Sequence, residues 1–411
     1  MRTNKNFRDK VTWGCVIYLF CPLGFLAMNM AGYSLFPETY GVDVSLVSTA
    51  LSTTALFGFL SSLAYTTINK KIHAKGMLYL GIAFTLAGGI GLNFLSGFIG
   101  LAVSFSLLGV INGVATYTVI TEVICNWFIE KRADKIALTI GAGTFGMAAY
   151  QFVGGQLFST VGIRKGFLFV AIFNTVVLFL VTKFLIVADN PEKVGEEPLG
   201  IKNAPVYQQM SGDGNVKTTN LYKDPVFWFG CLARFSGAAG VMFVATYATM
   251  CFGMAGMDLN VSATIVSIMT LGSAIFSLFS GKLLGFFKTK GFLSFVLIVA
   301  ALGNVAMIVF GAYPSLISIV LIVLCYSVGN ASGSVNNLVI DQMFAPADIG
   351  NANSKFLGVL YAGNIIYLPV SGMIIVNYGY TVLWIIMAVV NIISLALYMI
   401  ALKYAAKRKV A

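Results

Sequence analysis

Nine stretches of this 411-residue chain contain no aspartate, glutamate, lysine or arginine, and this feature most limits what the chain can fold into. The hydrocarbon layer of a bilayer is about 30 Å thick, and a helix that rises about 1.5 Å per residue crosses it in about 20 residues. Helices that are apolar on every face indicate a membrane protein rather than a set of soluble domains. The charge-free stretches are residues 11–37, 44–69, 76–121, 136–163, 166–182, 235–257, 259–281, 291–340 and 356–402.

Three of these stretches are too long for one crossing, because residues 291–340 alone would reach roughly 75 Å as a single helix. Each of the three contains a turn signal. The signals are at residues 93–97, 313–314 and 377–379. Splitting the stretches there, and beginning the seventh helix at Pro225 so that it includes Arg234, predicts an all-α polytopic membrane protein with twelve transmembrane helices.

The charged residues predict how the chain is oriented. Lysine and arginine number 26 and aspartate and glutamate 15, a net charge of +11. The cations alternate with apolar runs instead of clustering on one solvated face, so nucleic acid is excluded as a partner. If both termini lie on the same side of the membrane, most loop cations lie on that side, and Arg164 and Lys165 lie on the other. The positive-inside rule then predicts cytoplasmic termini in a plasma-membrane protein.

The longest polar stretch divides the predicted helices into six and six. It contains prolines, several glycines and charges of both signs, which is typical of a linker and not of a folded domain. We therefore predict an N-terminal six-helix bundle at residues 1–188, a cytoplasmic linker at 189–224 and a C-terminal six-helix bundle at 225–411.

The two predicted bundles are related by an internal repeat. One constant shift along the chain superposes six identical pairs, and a slightly larger shift places Glu122 on Asp341. Two-fold repeats are the architecture of transporters, although small residues also recur wherever membrane helices pack. We expect Gly141 and Gly146 to let helices approach each other. The six pairs are Gly141 with Gly358, Gly146 with Gly363, Tyr150 with Tyr367, Gly155 with Gly372, Gly162 with Gly379, and Asn174 with Asn391.

Twelve helices in two pseudo-symmetric halves joined by a linker resemble the major facilitator superfamily. Several short motifs resemble, more narrowly, its oxalate:formate antiporter and monocarboxylate porter branch. They are Gly-Tyr-Ser-Leu-Phe at 32–36, Asn-Trp-Phe-Ile-Glu-Lys-Arg at 126–132, the spaced glycines of 141–146, Asp-Asn-Pro-Glu at 189–192 and Pro-Leu-Gly at 198–200. The superfamily's loop between helices two and three normally carries an aspartate with arginines. The loop at 69–76 and its counterpart at 281–288 lack any acid.

Arg234 is the sharpest functional signal, since it lies roughly 13 Å from the inner end of its predicted helix. A charge at that depth costs on the order of 2.5–3.5 kcal/mol, so it must face a cavity or a partner. Its guanidinium can hold a carboxylate through two hydrogen bonds, and the resemblance implies that this helix lines the central cavity. We predict an anion site here. The alternatives are an ion pair with an acid such as Asp341, or a snorkelling arginine.

Lys355 is the second basic candidate, about one turn into the predicted eleventh helix. In dicarboxylate antiporters two basic groups hold two carboxylates, and the resemblance implies that Lys355 and Arg234 form such a pair. The alternative is that Lys355 snorkels to the inner interface.

Glu122 and Asp341 are predicted to lie just inside the inner membrane boundary. We expect them to close a cytoplasmic gate by pairing with loop cations such as Lys70, Lys71 or Lys282. Proton coupling is the alternative, although neither acid is predicted at the midplane and the first helix carries none.

Four polar residues are predicted to line the cavity and orient substrate: Tyr33, Tyr150, Asn330 and Tyr361. The alternative is that such buried groups bond between helices. The lone histidine and the cysteines without paired spacing predict neither a metal site nor a cofactor.

The sequence therefore predicts a secondary transporter, not an enzyme, that moves a small organic anion, a mono- or dicarboxylate, by alternating access with exchange or ion coupling. The lipid bilayer and the anion are the expected partners of a monomer. The alternative is a drug or sugar transporter of the same fold in which Arg234 is structural. A receptor would need a soluble signalling segment, and a membrane enzyme would need a cluster of His, Asp or Cys.

Overall fold

The computed structural model describes residues 5–200, 221–330, 339–340, 343–344 and 346–410, and these form helices joined by short turns. The chain divides into two compact units, Met1–Gly214 and Asn215–Ala411, called here the N half and the C half. Nine helical segments within the described residues are long and apolar enough to cross a membrane. The predicted all-helical architecture is confirmed.

In the N half, helices begin at capping residues and break where the backbone leaves the helical conformation. Asp43 caps α3, its carboxylate accepting from the Leu46 N–H at 2.8 Å, which satisfies a donor that the helix leaves unpaired. α3 is too long for one crossing and breaks at His73, where φ is 59°. Counting α4 and α5 as one span, the described N half has six crossing segments. Its helices are α1 (Lys5–Ala31), α2 (Phe36–Tyr40), α3 (Val44–Phe94), α4 (Gly97–Val114), α5 (Tyr117–Trp127), α6 (Arg132–Val161) and α7 (Ile163–Phe184).

The described residues of the C half contain four long helices: α8 (Pro225–Met254), α9 (Leu259–Ala312), α10 (Leu316–Gly329) and α11 (Pro346–Val410). Pro225 occupies the first turn of α8, where its missing N–H is not needed, and Asp224 accepts from the Val226 N–H at 2.9 Å. α9 breaks at Lys288 and α11 at Gly379. With these two breaks the described part of the C half forms six helical segments. The turns predicted at 93–97, 313–314 and 377–379 are confirmed.

The helix breaks recur at matching places in the two halves. His73 has φ 59° and ψ 169°, and Lys288 in the C half has φ 56° and ψ 164°. Gly162 has φ 81° and ψ 160°, and Gly379 in the C half has φ 80° and ψ 173°. Gly162 and Gly379 are one of the pairs that the sequence shift superposes, so the repeat is present in the backbone of both halves.

α1 and α6 of the N half approach at a glycine. A Cβ added at Gly146 would lie 2.2 Å from the backbone oxygen of Phe20, so a side chain there would separate the helices. Gly141 differs, since no described atom lies within 4 Å of its added Cβ. The expectation that Gly141 lets helices approach is therefore wrong, because Gly141 lies on a different side of α6 from Gly146.

The start of the predicted linker is bonded to the N half, and we call residues 189–200 the strap. The Leu199 N–H donates to the Trp127 carbonyl at 2.9 Å, and the Ile129 N–H donates to the Leu199 carbonyl at 2.9 Å. Arg8 of α1 donates to the Glu197 carbonyl at 2.8 Å. These bonds join the ends of α1 and α5 through one segment.

Candidate functional site

The backbone around Arg234 packs closely against the second segment of α11. Arg234 follows Pro225 by nine residues and is half-buried, while the adjacent Ala233 is fully buried. The Ser394 hydroxyl donates to the Ala233 carbonyl at 2.8 Å. Gly237 allows this approach, since a Cβ added there would lie 3.0 Å from the Ser394 hydroxyl. The first turns of α8 thus hold the arginine at one depth.

The guanidinium of Arg234 donates a side-chain hydrogen bond to the hydroxyl of Tyr398. Tyr398 is 2% exposed and lies four residues after Ser394 and seven after Asn391, so the three share one helix face. The Asn391 Oδ1 is buried and accepts no hydrogen bond within the described part of the chain. A guanidinium has five N–H donors, so the phenol accepts only a fraction of what Arg234 offers.

The surroundings of Arg234 are neutral as far as the structure describes them. No carboxylate oxygen lies within 4 Å of its guanidinium among the described residues, where one ion pair joins Lys193 to Asp189. Asp341, the alternative partner, lies outside the described residues. A phenol is neutral, so it does not compensate the positive charge of Arg234 within a membrane span. A positive charge without a compensating partner favours an anionic ligand.

Lys355 differs from Arg234 in its exposure. Its side chain is exposed, whereas the neighbouring Phe356 is 2% exposed and its ring lies tilted, 6.0 Å from the ring of Phe227 in the core of the C half. This placement agrees with the snorkelling alternative. Tyr361, further along α11, is half-buried.

Three of the four predicted lining residues are bonded to neighbouring helices. Each bond joins residues of the same half. Tyr33 shares a hydrogen bond of 2.7 Å with Ser48, Tyr150 donates to the Asn174 Oδ1 at 2.5 Å, and the Asn330 amide donates to the Ser273 hydroxyl at 2.9 Å. Buried polar groups need such partners, and these bonds agree with the interhelical alternative for Tyr33, Tyr150 and Asn330.

Glu122 of α5 accepts from two neutral side chains of α3. The Tyr65 hydroxyl donates to its Oε2 at 2.6 Å, and the Asn69 amide donates to both carboxylate oxygens at 2.9 Å. Tyr65 and Asn69 are four residues apart and therefore share a helix face. Hydrogen bonds to an ionised carboxylate are among the stronger ones.

The expected pairing of Glu122 with loop lysines is absent from the ion pairs that the structure describes. Lys70 and Lys71 are exposed. Each residue turns a helix by about 100°, so the two residues after Asn69 face away from α5. The Lys282 side chain lies outside the described residues, as does Asp341.

Sequence reasoning missed Tyr398 as the partner of Arg234 and missed Tyr65 and Asn69 as the partners of Glu122. A signal existed for the second pair, because a tyrosine and an asparagine at i and i+4 form one polar patch on an apolar helix. Tyr398 offers no such local signal, since it meets Arg234 only through tertiary packing.

Comparisons with known proteins agree with this architecture. The profile of the Major Facilitator Superfamily matches residues 25–346 and 255–411. A bacterial homologue of the human lysosomal transporter Spinster, solved facing inward, has a TM-score of 0.78 at 15% identity, covering 98% of each chain. The nucleoside transporter NupG has a TM-score of 0.74 at 15% identity, covering 96% of this chain and 99% of its own.

A D-xylose-proton symporter is a further structural neighbour, with a TM-score of 0.74 at 13% identity, covering 95% of this chain and 96% of its own. No curated protein sequence matches this chain. At these identities the likeness shows the fold, which is that of proteins crossing the membrane many times.

Proposed function

Because this chain belongs to the Major Facilitator Superfamily, we propose that it is a secondary transporter of a small organic anion, a mono- or dicarboxylate. Transport proceeds by alternating access between two states, as the duplicated halves of such proteins allow, and is coupled to exchange or to an ion. The residue that would hold the anion is Arg234.

The observation that supports an anion is the neutral surrounding of Arg234. Its described partner is a phenol, which accepts one hydrogen bond and leaves the positive charge in place. A carboxylate would accept two parallel hydrogen bonds from the guanidinium and compensate that charge. Binding an anion therefore lowers the cost of keeping the arginine in a span.

The finer assignments in this proposal rest on sequence. The motifs at 126–132 and 189–192 resemble the oxalate:formate antiporter and monocarboxylate porter branch. The charge pattern supports cytoplasmic termini, a linker at 189–224 and a place in the plasma membrane. Lys355 is the proposed second cation, and Glu122 with Asp341 the proposed gate or proton site. The protein would act as a monomer.

Uptake into proteoliposomes and thermal unfolding with C2 to C6 carboxylates test the anion site together. At a ligand concentration 100 times the Kd, binding stabilises the native state by about 2.7 kcal/mol. We expect the wild type to show this shift and the Arg234→Ala variant to lose both shift and uptake while still unfolding cooperatively. Tyr398→Phe, which keeps the cation, is expected to retain uptake with an altered KM.

A carboxylate shift of the same size in Arg234→Ala would remove Arg234 from the site. Lys355→Ala tests the second cation in the same assay: if Lys355 binds the second carboxylate, dicarboxylates lose affinity and monocarboxylates keep it.

A drug or sugar transporter with a structural Arg234 is the second candidate. The hydrogen bond from Arg234 to Tyr398 favours it, since a structural arginine would make such a bond. The structural neighbours include proteins named for nucleoside and xylose transport. A neutral sugar or nucleoside that stabilises the wild type and Arg234→Ala equally would support this candidate over the anion.

A further inference from the structure

The repeat relates one corner of the N half to one corner of the C half, and the two corners are occupied differently. In the N half, this corner is where α2 and α3 end and α7 begins. Arg164 donates to the Thr39 carbonyl at 3.1 Å, to the Asn93 carbonyl at 3.3 Å and to the Ser96 hydroxyl at 2.9 Å. Its guanidinium also lies 4.7 Å from the ring centre of Tyr40. A cation therefore occupies the negative ends of two helices.

The corresponding corner of the C half lies where α8 and α9 end and the second segment of α11 begins. The turns give the register: Gly41 and Gly256 both have a positive φ, as do Gly162 and Gly379. The shift that superposes Gly162 on Gly379 places Thr381 where the N half has Arg164. The C half thus has two helix ends at this corner and no cationic side chain in the position that fills the other corner.

A cavity of about 160 Å³ occupies this C-half corner. Its lining includes Thr381 and three sulfur-bearing side chains, those of Cys251, Met254 and Met307. Cys251 is 8% and Met307 2% exposed, while Met254 is 65% exposed. Cys251 and Met254 are three residues apart on α8, so they lie on one helix face. The cavity is therefore lined by one exposed methionine and by two buried sulfur-bearing residues.

Aromatic side chains complete the cavity wall. Trp384 is hydrogen-bonded to the Cys251 thiol. Tyr380, which also lines the cavity, donates its hydroxyl to the Met250 sulfur at 3.2 Å.

We propose that this cavity binds a soft monovalent cation, Cu(I) or Ag(I), through the sulfur atoms of Cys251, Met254 and Met307. Thioether and thiolate sulfur select such ions over hard cations. The helix ends at Met254 and Ala312 supply a negative potential at this corner. In the N half, the corresponding helix ends are bonded to Arg164 instead. On binding, the Cys251 thiol releases its proton to water and its sulfur bonds the metal. The site is independent of Arg234 and of the proposed anion.

Competition for Cu(I) between the purified full-length protein and a colorimetric chelator measures this site. Excess chelator outcompetes single thiols, and substituting leucine for methionine preserves apolar volume and the thiol count. We expect the wild type to take up one Cu(I), and Met254→Leu and Met307→Leu each to weaken binding at least tenfold. Met373→Leu, a methionine outside the cavity that is 54% exposed, is the matched control and is expected to bind as the wild type.

The N half supplies a second test. Thr381→Arg introduces at the C-half corner the residue that fills the N-half corner, and it is expected to abolish Cu(I) uptake while the protein unfolds at the wild-type temperature or above. Wild-type protein that takes up no Cu(I) against the chelator would overturn the proposal. Equal affinity in wild type, Met254→Leu and Met307→Leu would also overturn it. Loss of binding in Met373→Leu would do the same.

Discussion

Arg234 and Glu122 are charged residues in helical spans, and each is bonded to neutral groups among the described residues. Arg234 donates to the phenol of Tyr398, and Glu122 accepts from Tyr65 and Asn69. Neutral dipoles compensate a buried charge only in part, whereas an ion pair compensates it through direct attraction. The proposed anion site at Arg234 and the proposed gate at Glu122 both rest on this lack of an ion-pair partner among the described residues.

Removing the Tyr65 hydroxyl tests how strongly Glu122 is held. Tyr65→Phe deletes one hydrogen bond to a carboxylate, and such bonds contribute about 1.5–3 kcal/mol. We expect denaturation of the purified protein to show a loss of this size. Tyr79→Phe is the matched control, because no described side chain bonds the Tyr79 hydroxyl.

The same substitution in a Glu122→Gln background isolates the contact. A neutral amide accepts a weaker hydrogen bond than a carboxylate, so Tyr65→Phe is expected to cost less there. Equal losses in the two backgrounds would show that Tyr65 stabilises the N half by other means.

At the scale of helices, the contact of α1 with α6 depends on the absence of one side chain. Gly146 lies against the backbone of Phe20, and a glycine at this position lets two helices approach in a membrane. The strap acts at the same scale, because it bonds to the ends of α1 and α5. The contact between α1 and α6 and the hydrogen bonds of the strap therefore both connect elements that are far apart in sequence.

Gly146→Ala is expected to destabilise the N half, because the new methyl group would lie 2.2 Å from the Phe20 oxygen. Overpacking of this kind costs typically about 1–3 kcal/mol. Gly141→Ala, on the same helix with no described atom within 4 Å of the new Cβ, is expected to be neutral or slightly stabilising, since alanine favours helix over glycine. Thermal unfolding compares the two, and an equal effect would contradict the packing difference.

The strap contains a titratable ion pair outside the spans. Asp189 is 6% exposed and accepts from Lys193 Nζ at 2.8 Å. Burial acts to raise the pKa of Asp189, but the hydrogen bond and charge of Lys193, with a contribution from His73, hold the pKa below its ordinary value. A lowered pKa in the folded state means that stability is complete above the unfolded pKa, about 3.9, and is lost as pH falls through the folded pKa.

Unfolding temperature as a function of pH measures this effect. Lys193→Gln removes the cation, so the folded-state pKa of Asp189 is expected to rise toward or above its unfolded value and the stability lost at acid pH to become smaller. The effect is modest, because Lys193 is 52% exposed and such pairs contribute about 0–1 kcal/mol. Glu192→Gln, at an exposed neighbour, is expected to leave the profile unchanged. A profile of Lys193→Gln identical to that of the wild type would rule out the pair as its cause.

At the scale of the whole molecule, the chain is a duplication whose halves have diverged. In both halves, the second and third helical segments are separated by a residue with φ near 60°, and the last two segments are separated by a glycine. They differ where Arg164 fills a corner and Thr381 leaves a cavity. Duplicated architecture provides the two states of a transporter, whereas the proposed metal site rests on a position at which the halves differ.

An anion site at Arg234 has a consequence for transport by the whole protein. Without a bound anion, the unpaired charge of Arg234 resists burial as the protein changes state, so exchange is expected to be faster than net efflux. Vesicles loaded with labelled carboxylate should release it severalfold faster when the same carboxylate is present outside. Equal release into buffer without the anion would contradict this coupling.

Much of the fold was predictable because membrane helices are specified locally. The start at Pro225 and the break at Gly379 follow from residues that are neighbours along the chain. The partners of Arg234 and Glu122 were not predictable in that way, since Tyr398 lies on α11 and Arg234 on α8, and Tyr65 lies 57 residues from Glu122. Gly141 shows the same limit, because its sequence does not state which face of α6 a neighbour covers.

The sequence by itself determined the helices, their number and the charges within them, because a bilayer demands apolar runs of a set length and penalises every exception. Only the tertiary structure decided which residues lie close to those charges and which side chains surround them. Hydrogen bonds and cavities depend on distances between helices, and packing sets those distances through side chains that are remote in sequence. The phenol beside Arg234 and the sulfur-lined cavity at Thr381 are both products of that packing.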